Sequence, residues 1–133
     1  MNGILETLPL YLAFIGVSIG LLVLGIVIYM FVTPYREITL IRNGNRAAAF
    51  SFGGTVIGLA YAIHGLSAST WSVRDLAVWG VVGVISQIAV FFIVSKVLGN
   101  LKTEIEADNV AYGAFLGFAS IAIGIMNSGA LSS

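Results

Sequence analysis

The sequence predicts an all-α membrane protein in which four transmembrane helices form two tandem helical hairpins. Hydrophobic residues make up 59% of the 133 positions and charged residues 9%, and the mean hydropathy is +1.03. Such a composition leaves too little polar surface to coat a soluble domain. Four long uncharged runs follow one another along the chain, and the chain aligns with itself at an offset of 64 positions.

The internal repeat aligns residues 12–65 with residues 76–129 without a gap. Each copy holds an apolar segment, a polar loop and a second apolar segment, so we place repeat one at 8–66 and repeat two at 76–131 within a single membrane domain over 1–133. Because each copy contains two spans, both copies have the same topology and their pseudo-symmetry axis is expected along the membrane normal. The identical pairs include Leu12/Leu76, Gly16/Gly80, Asn45/Asn109, Ala47/Ala111 and Gly53/Gly117.

Each uncharged run reaches the roughly 20 residues that a helix needs to cross a hydrocarbon core. The first run is expected to remain as a helix rather than serve as a secretion signal, since residues 1–9 carry no lysine or arginine and the run exceeds the usual signal length of about 7–15 residues. The intervening loops are short connectors, which leave no room for a soluble catalytic domain. The four predicted spans are 8–32, 47–66, 76–95 and 110–131.

The positive charges predict the orientation. The first and third loops hold Arg36, Arg42, Arg46, Lys96 and Lys102, whereas the second loop holds only Arg74. The excess of cations on cytoplasmic loops predicts that loops 33–46 and 96–109 face the cytoplasm and that both termini face the periplasm of a bacterial inner membrane. The balanced net charge and the lack of a basic run exclude nucleic-acid binding. With no cysteine, the chain has no disulfides or thiolate ligands.

Small residues recur at four-residue spacing in three of the spans. In lipid, such faces allow helices to approach closely, so we expect them to pack against other helices. The alternative is that one of these faces also lines a solute pathway. The predicted packing residues are Gly16 and Gly20 in the first span, Gly54 and Gly58 in the second, and Gly113, Gly117 and Gly124 in the fourth.

Two asparagines directly precede the second and fourth spans. Asn45 and Asn109 are repeat mates, and an asparagine side chain at this position can accept a hydrogen bond from a free backbone amide in the first turn. We therefore predict that both are helix caps. The alternative is a lipid-headgroup or solute contact made with Arg42, Asn43 and Arg46 at the cytoplasmic surface.

The loop residues resemble those of a known family. The motifs are Pro34-x-x-Glu37, the run from Leu40 to Ala48 that contains Arg42, Asn43 and Asn45, and a second Asn109-x-Ala111 followed by glycines. Together they resemble the YjfL-like small bacterial inner-membrane proteins, domain of unknown function 350. The resemblance implies four spans in two tandem halves and supplies no activity. It implies an accessory membrane protein, with a weak link to envelope-stress partners or to aminopropyltransferase-like enzymes.

The two polar loops carry opposite charges. Arg42 in the first loop aligns with Glu106 in the second, which also contains Glu104 and Asp108. Opposite charges at equivalent positions indicate loops that face each other, either within one molecule or between neighbouring copies, and we favour neighbouring copies. The alternative is that these charges are solvated separately at the membrane surface.

Among the polar side chains inside the predicted spans, Ser86, Gln87, His64 and Asn127 are the main functional candidates. Ser86 and Gln87 lie near the middle of the third span, and His64 and Asn127 near the outer ends of the second and fourth. An amide in lipid needs a partner, so we expect Gln87 to bond another helix, or else to line a solute pathway. His64 is expected to be interfacial rather than a proton sensor or ligand.

The residue inventory does not favour an enzyme, a cofactor site or a metal site. There is one histidine, no cysteine and no repeated metal-ligand spacing. The leading hypothesis is a homo-oligomeric structural or accessory component of a membrane complex, in contact with lipids and with a membrane or peripheral stress-response protein as a further partner. The alternative is a small channel or transporter for ions or small solutes. Its predicted lining residues are Ser18, Ser51, Thr55, Ser86, Gln87 and Ser120.

Overall fold

A computed structural model of the chain describes residues 2–70 and 72–131. The predicted single domain over 1–133 therefore includes four positions outside the described residues, namely 1, 71, 132 and 133. Six helices follow in order: α1 (Asn2–Val32), α2 (Glu37–Arg42), α3 (Arg46–Ser69), α4 (Val73–Leu98), α5 (Leu101–Glu106) and α6 (Val110–Leu131).

Four of these helices, α1, α3, α4 and α6, are long and apolar enough to cross a membrane. The prediction of an all-α chain with four spans is confirmed. Three of the helices extend beyond the uncharged runs. In α4, Asp75 lies in the first turn and Lys96 in the last, where each charge complements the helix dipole.

The four long helices form one bundle around α3 and α4. Each of these two helices contacts the other three long helices, and α1 and α6 lie on opposite sides of the central pair. The most extensive contact joins α3 to α6. Gly113 lies against Ala47 near the start of this interface and Ser128 lies against Gly65 near its end, so α3 and α6 run in the same direction.

Glycines bring the backbones of α3 and α6 into direct contact. A Cβ atom built at Gly113 would lie 2.6 Å from the Cα of Ala47, and one built at Gly124 would lie 2.5 Å from the Cα of Gly58. Gly54 and Gly117 approach each other equally closely. The packing prediction for all five glycines is therefore confirmed. Lipid supplies no hydrophobic force between helices, so this close van der Waals contact holds the pair together.

Gly16 and Gly20 do not pack against another helix of the same chain. A Cβ atom at either position would meet nothing within 4 Å. Helix α1 instead contacts the bundle through Leu21, which lies on Gly80 of α4, and through Gly25, on which Leu59 of α3 lies. The face of α1 that carries Gly16 and Gly20 points away from the other helices.

The short helices α2 and α5 lie at the same end of the bundle. A buried apolar cluster closes this end, and it includes Tyr29 from α1, Phe91 from α4 and Ile105 from α5. Leu40 from α2 packs against the cluster. The two polar loops are therefore neighbours within one chain, and we call this the loop end of the bundle.

Helix α1 projects beyond the opposite end of the bundle. Leu21 lies level with Gly80 and Gly25 lies level with Val84, so the start of α4 at Val73 is level with residue 14 of α1. Residues 3–13 therefore extend about 16 Å past α4, at 1.5 Å per residue. The side chains at positions 3–12 are exposed on every face of the helix.

Candidate functional site

A set of polar side chains, most of which are joined by hydrogen bonds, runs through the interior of the bundle. We call it the polar file and define it as Tyr35, Tyr29, Ser51, Thr55, Ser120, Gln87, Asn127 and Ser86. It begins beside Glu37 at the loop end and reaches Asn127, four residues before the end of α6. Polar groups at membrane depth are costly unless they are bonded, so a file of them across a small bundle marks the candidate site.

The half of the file nearest the loop end consists of hydroxyl groups. The hydroxyls of Tyr29 and Ser51 are 3.3 Å apart. The Thr55 hydroxyl lies 2.9 Å from the carbonyl oxygen of Ser51 and 3.4 Å from the Ser120 hydroxyl. Each of these four side chains is at most 4% exposed. The hydroxyls thereby join α1, α3 and α6 by hydrogen bonds inside the core.

The second half of the file consists mainly of amides. Gln87, which is 1% exposed, donates from Nε2 to the carbonyl oxygen of Ser120 at 2.7 Å. Asn127 donates from Nδ2 to the Ser86 hydroxyl at 3.0 Å and to Oε1 of Gln87 at 3.5 Å. The predicted interhelical hydrogen bond of Gln87 is confirmed. Ser86 and Asn127 are only half-buried, so the file reaches the bundle surface here.

One small cavity adjoins the middle of the file. It has a volume of about 10 Å³ and lies beside Gln87, Ser120 and Leu116. A cavity needs roughly 10–15 Å³ of this kind of volume to hold one water molecule. The cavity is therefore no larger than a single water, and it does not form a pore.

Glu37 is buried beside the start of the file. Its side chain is 1% exposed, and the Thr33 hydroxyl donates to its Oε1 atom. The Oε2 atom has no hydrogen-bond partner, and neither has the buried hydroxyl of Tyr35. Burial raises the pKa of the Glu37 carboxyl above its ordinary value, against the lowering effect of the Thr33 hydrogen bond. Burial also raises the pKa of the Tyr35 hydroxyl.

The two loops are joined directly at the start of α3. The Asn45 side chain accepts from the Ala48 amide at 2.7 Å and donates to the carbonyl oxygen of Ile105, also at 2.7 Å. Asp108 accepts from the Ala47 amide at 2.8 Å and lies 3.7 Å from Arg46. The predicted Asn45 cap is confirmed, and it also ties the first loop to the second.

Asn109 caps α6 in the same way. Its Oδ1 atom accepts from the Tyr112 amide at 3.2 Å, and its Nδ2 atom donates to Glu104 at 2.6 Å. The predicted cap is confirmed. Unlike Asn45, Asn109 is exposed and makes no bond to the other loop.

The loops meet within one chain, but not through the predicted pair of charges. Arg42, Asn43 and Glu106 are all exposed, and neither Arg42 nor Glu106 forms an ion pair among the described residues. Arg46 is exposed as well and forms an ion pair with Asp108. The side chains of Arg42, Asn43 and Glu106 are free to contact headgroups or another molecule.

His64 and Ser18 lie away from the polar file. His64 is exposed on the side of α3, and with Ser18 it borders a groove of about 230 Å³ that opens to the surface of the bundle. Of the six residues predicted to line a pathway, the structure therefore brings together five and places Ser18 elsewhere. The prediction that His64 lies at the membrane interface stays a prediction.

Sequence reasoning missed Thr33, Tyr35 and Asp108. Residues 33, 35 and 37 are buried and residues 34, 36 and 38 are exposed. This alternation is a signal of one-sided burial, but it buries a glutamate and exposes Ile38, against the usual preference. Asp108 has a backbone φ of 58°, a conformation that aspartate and asparagine tolerate better than most residues.

Comparison with known proteins agrees with this architecture. The model of the Domain of Unknown Function (DUF350) family matches residues 3–131. The UPF0719 inner membrane protein YjfL of Escherichia coli (strain K12) is 30% identical over 97% of this chain and 98% of its own length. The UPF0719 transmembrane protein YshE of Bacillus subtilis (strain 168) is 31% identical over 85% of this chain and 84% of its own length.

No solved structure matches the chain. The family match covers nearly the whole chain, and the relatives are named as inner-membrane or transmembrane proteins of similar length. The four apolar helices are consistent with that location. The chain is therefore a multi-pass inner-membrane protein that belongs to the DUF350 family.

Proposed function

We propose that this protein is a structural or accessory component of an inner-membrane complex and that it works as a homo-oligomer. The observation that supports this proposal is the projection of α1 beyond the bundle. Its exposed side chains include Ile4, Leu5, Leu8 and Tyr11, which are between 46% and 72% exposed.

The length of α1 makes this exposure costly. Residues 3–32 form a helix of 30 residues, or about 45 Å at 1.5 Å per residue, whereas the hydrocarbon core is about 30 Å thick. Tilting of α1 reduces the difference between its length and the thickness of the hydrocarbon core, but the projecting turns remain without a protein neighbour. Another protein surface that packs along α1 would cover these turns.

A second copy of the chain fits this surface best. Copies inserted with the same topology present α1 in the same direction, so an axis along the membrane normal brings identical faces together. The face that carries Gly16 and Gly20 is open, and its four-residue spacing is that of close parallel helix pairs. Leu12 and Val23 lie on the same face and are exposed.

Cysteine cross-linking in native membranes tests this interface. The chain has no cysteine, so single-cysteine variants need no prior changes. We expect Gly16→Cys to form a disulfide-linked dimer on oxidation. Ile15→Cys is the matched control, because Ile15 lies at the same depth but about 100° around the helix. Equal cross-linking at both positions, or none at Gly16, would contradict the interface.

The finer topology is part of the proposal. We infer two tandem hairpins, related by the offset of 64 positions, with the loop end in the cytoplasm and the termini in the periplasm. The long-short-long order of helices occurs twice along the chain, and the loop end gathers most of the cations. Contact between Arg42 and Glu106 of neighbouring copies remains a prediction.

The proposal includes no enzymatic activity and no cofactor, in keeping with an inventory of one histidine and no cysteine. Membrane lipids are the expected surroundings. A link to an envelope-stress protein depends on the family resemblance alone, and purification of the protein with its bound partners tests it.

A channel or transporter for ions or small solutes is the second candidate. It is favoured by the polar file, which contains Ser51, Thr55, Ser86, Gln87 and Ser120. Because the adjoining cavity holds at most about one water, conduction would require the bundle to open. Flux into proteoliposomes that Gln87→Leu abolishes would favour this candidate.

A further inference from the structure

The strongest unassigned feature of the molecule is the buried carboxyl of Glu37. Glu37 is the first residue of α2 and is buried at the loop end of the bundle, where it is 1% exposed. The Thr33 hydroxyl donates to one carboxyl oxygen, and the other oxygen has no partner. An ionised carboxylate with a free, buried oxygen is strongly disfavoured unless a positive charge or further donors surround it.

No positive charge compensates Glu37 among the described residues. The nearest arginines in sequence, Arg36 and Arg42, are both exposed, and neither forms an ion pair with it. The titratable groups beside it are the Tyr29 hydroxyl of α1 and the Tyr35 hydroxyl of the α1–α2 connection, and the charge of Glu37 acts on both. Helix α3 faces these tyrosines with the uncharged hydroxyl of Ser51.

A metal ion is not favoured as the missing partner. No group of three or more histidine, cysteine, aspartate or glutamate side chains lies together anywhere in the described part of the chain. Glu37 would therefore share a metal ion with at most one other such ligand, whereas divalent cations in proteins are bound by several oxygen ligands. A proton needs only the carboxyl oxygen itself.

We propose that Glu37 is a proton-binding site, occupied at neutral pH, at the entrance of the hydroxyl half of the polar file. When the site empties, the O–H bond of the carboxylic acid breaks, the proton passes to water, and a carboxylate remains beside Thr33, Tyr35 and Tyr29. The hydroxyls of Ser51, Thr55 and Ser120 continue from Tyr29 to the membrane interior.

The amide of Gln87 ends this series of hydroxyls. Its Nε2 atom donates to a backbone carbonyl oxygen, and an amide donor has no lone pair with which to accept a proton in turn. The site therefore stores a proton on the loop side of Gln87 and does not by itself conduct protons across the membrane. This inference is independent of the α1 interface proposed above.

Infrared spectroscopy of the full-length protein in lipid tests the site. We expect the wild type at pH 7 to show the C=O stretching band of a protonated carboxylic acid, with a shift in D₂O. Glu37→Gln should lose the band, and Glu106→Gln should keep it, because Glu106 is exposed. Absence of the band in the wild type at pH 7, or its survival in Glu37→Gln, would overturn the proposal.

A second variant tests the site without removing the carboxyl. The Thr33 hydroxyl lowers the pKa of Glu37, so Thr33→Val should move the pH at which the band disappears to a higher value. A midpoint that is unchanged or lower would contradict the assignment of the titrating group to the carboxyl beside Thr33. Circular dichroism confirms the helix content of each variant before comparison.

Discussion

Asp108 caps the first turn of α3 at Ala47, although the two residues are 61 positions apart in the chain. The Asp108 Oδ1 atom accepts a hydrogen bond from the Ala47 amide at 2.8 Å. Asn45 satisfies the next amide of the same turn at 2.7 Å. A carboxylate at this position also interacts favourably with the N-terminal end of the α3 dipole. The two loops are thus joined where α3 enters the bundle.

The first prediction concerns this cap. Asp108→Ala should lower the free energy of unfolding by about 1–2 kcal/mol, because it removes the acceptor for Ala47 and places alanine at a positive φ. Asp108→Asn should cost less, since asparagine keeps an acceptor and tolerates that backbone conformation. Unfolding in mixed detergent micelles measures both values.

Glu106→Ala is the control for the cap. Glu106 lies in the same loop, is exposed and makes no ion pair among the described residues. Its replacement should leave stability unchanged. A loss at Glu106 that equals the loss at Asp108 would mean that loop charge in general, rather than the cap, stabilises the protein.

The second prediction compares two adjacent glycines in α3. A Cβ atom at Gly54 would lie 2.5 Å from the backbone carbon of Gly117, whereas one at Gly53 would meet nothing within 4 Å. Gly54→Ala should therefore cost about 1–3 kcal/mol through overpacking. Gly53→Ala should be neutral or stabilising by up to about 1 kcal/mol, as expected for alanine in a helix. Equal effects would contradict the α3–α6 contact.

The third prediction concerns the amides of the polar file. Gln87→Leu should cost about 0.5–2 kcal/mol, the range for hydrogen bonds between membrane helices. Asn127→Leu should cost less, because Asn127 is half-buried and one of its two bonds is long, at 3.5 Å. Thermal unfolding of both variants gives their order. A larger loss of stability in Asn127→Leu would contradict this order and show that Asn127 stabilises the polar file more than Gln87 does.

The fourth prediction is a pH dependence of stability that arises from Glu37. Its pKa is raised in the folded protein, so the folded state holds this proton more tightly than the unfolded state. The free energy of unfolding should therefore fall as the pH rises above the ordinary glutamate pKa of about 4.3 and continue to fall until the raised pKa is passed. The difference in the free energy of unfolding between wild type and Glu37→Gln, measured from pH 4 to pH 9, isolates the contribution of Glu37. A difference that grows in favour of the wild type with pH would contradict the assignment.

Hydropathy and residue spacing predict much of the fold, because both patterns can be identified within a single helix. The four spans follow from uncharged runs, and the contacts of Gly54, Gly58 and Gly117 follow from small residues at four-residue spacing. The same spacing at Gly16 and Gly20 does not lead to a helix contact within the chain. A small-residue face permits close approach, but which helix fills it depends on how the whole bundle assembles.

The candidate site was less predictable from the sequence. Gln87 was expected to find an interhelical partner because an unpaired amide is costly in lipid. The sequence does not predict the burial of Glu37, since it lies in a polar loop and its neighbours Tyr29 and Tyr35 belong to an apolar cluster that assembles from several helices. Asp108 caps a helix from the other half of the chain, and no local pattern reveals such a contact.

The homo-oligomer is the central claim, and native mass spectrometry of protein released gently from its own membrane tests it most directly. The chain has a mass of 14.0 kDa, so bound lipids and additional copies are readily distinguished. The account predicts an assembly whose mass is an integer multiple of the chain, with lipids attached. A single chain under every release condition that preserves the helical fold would contradict it.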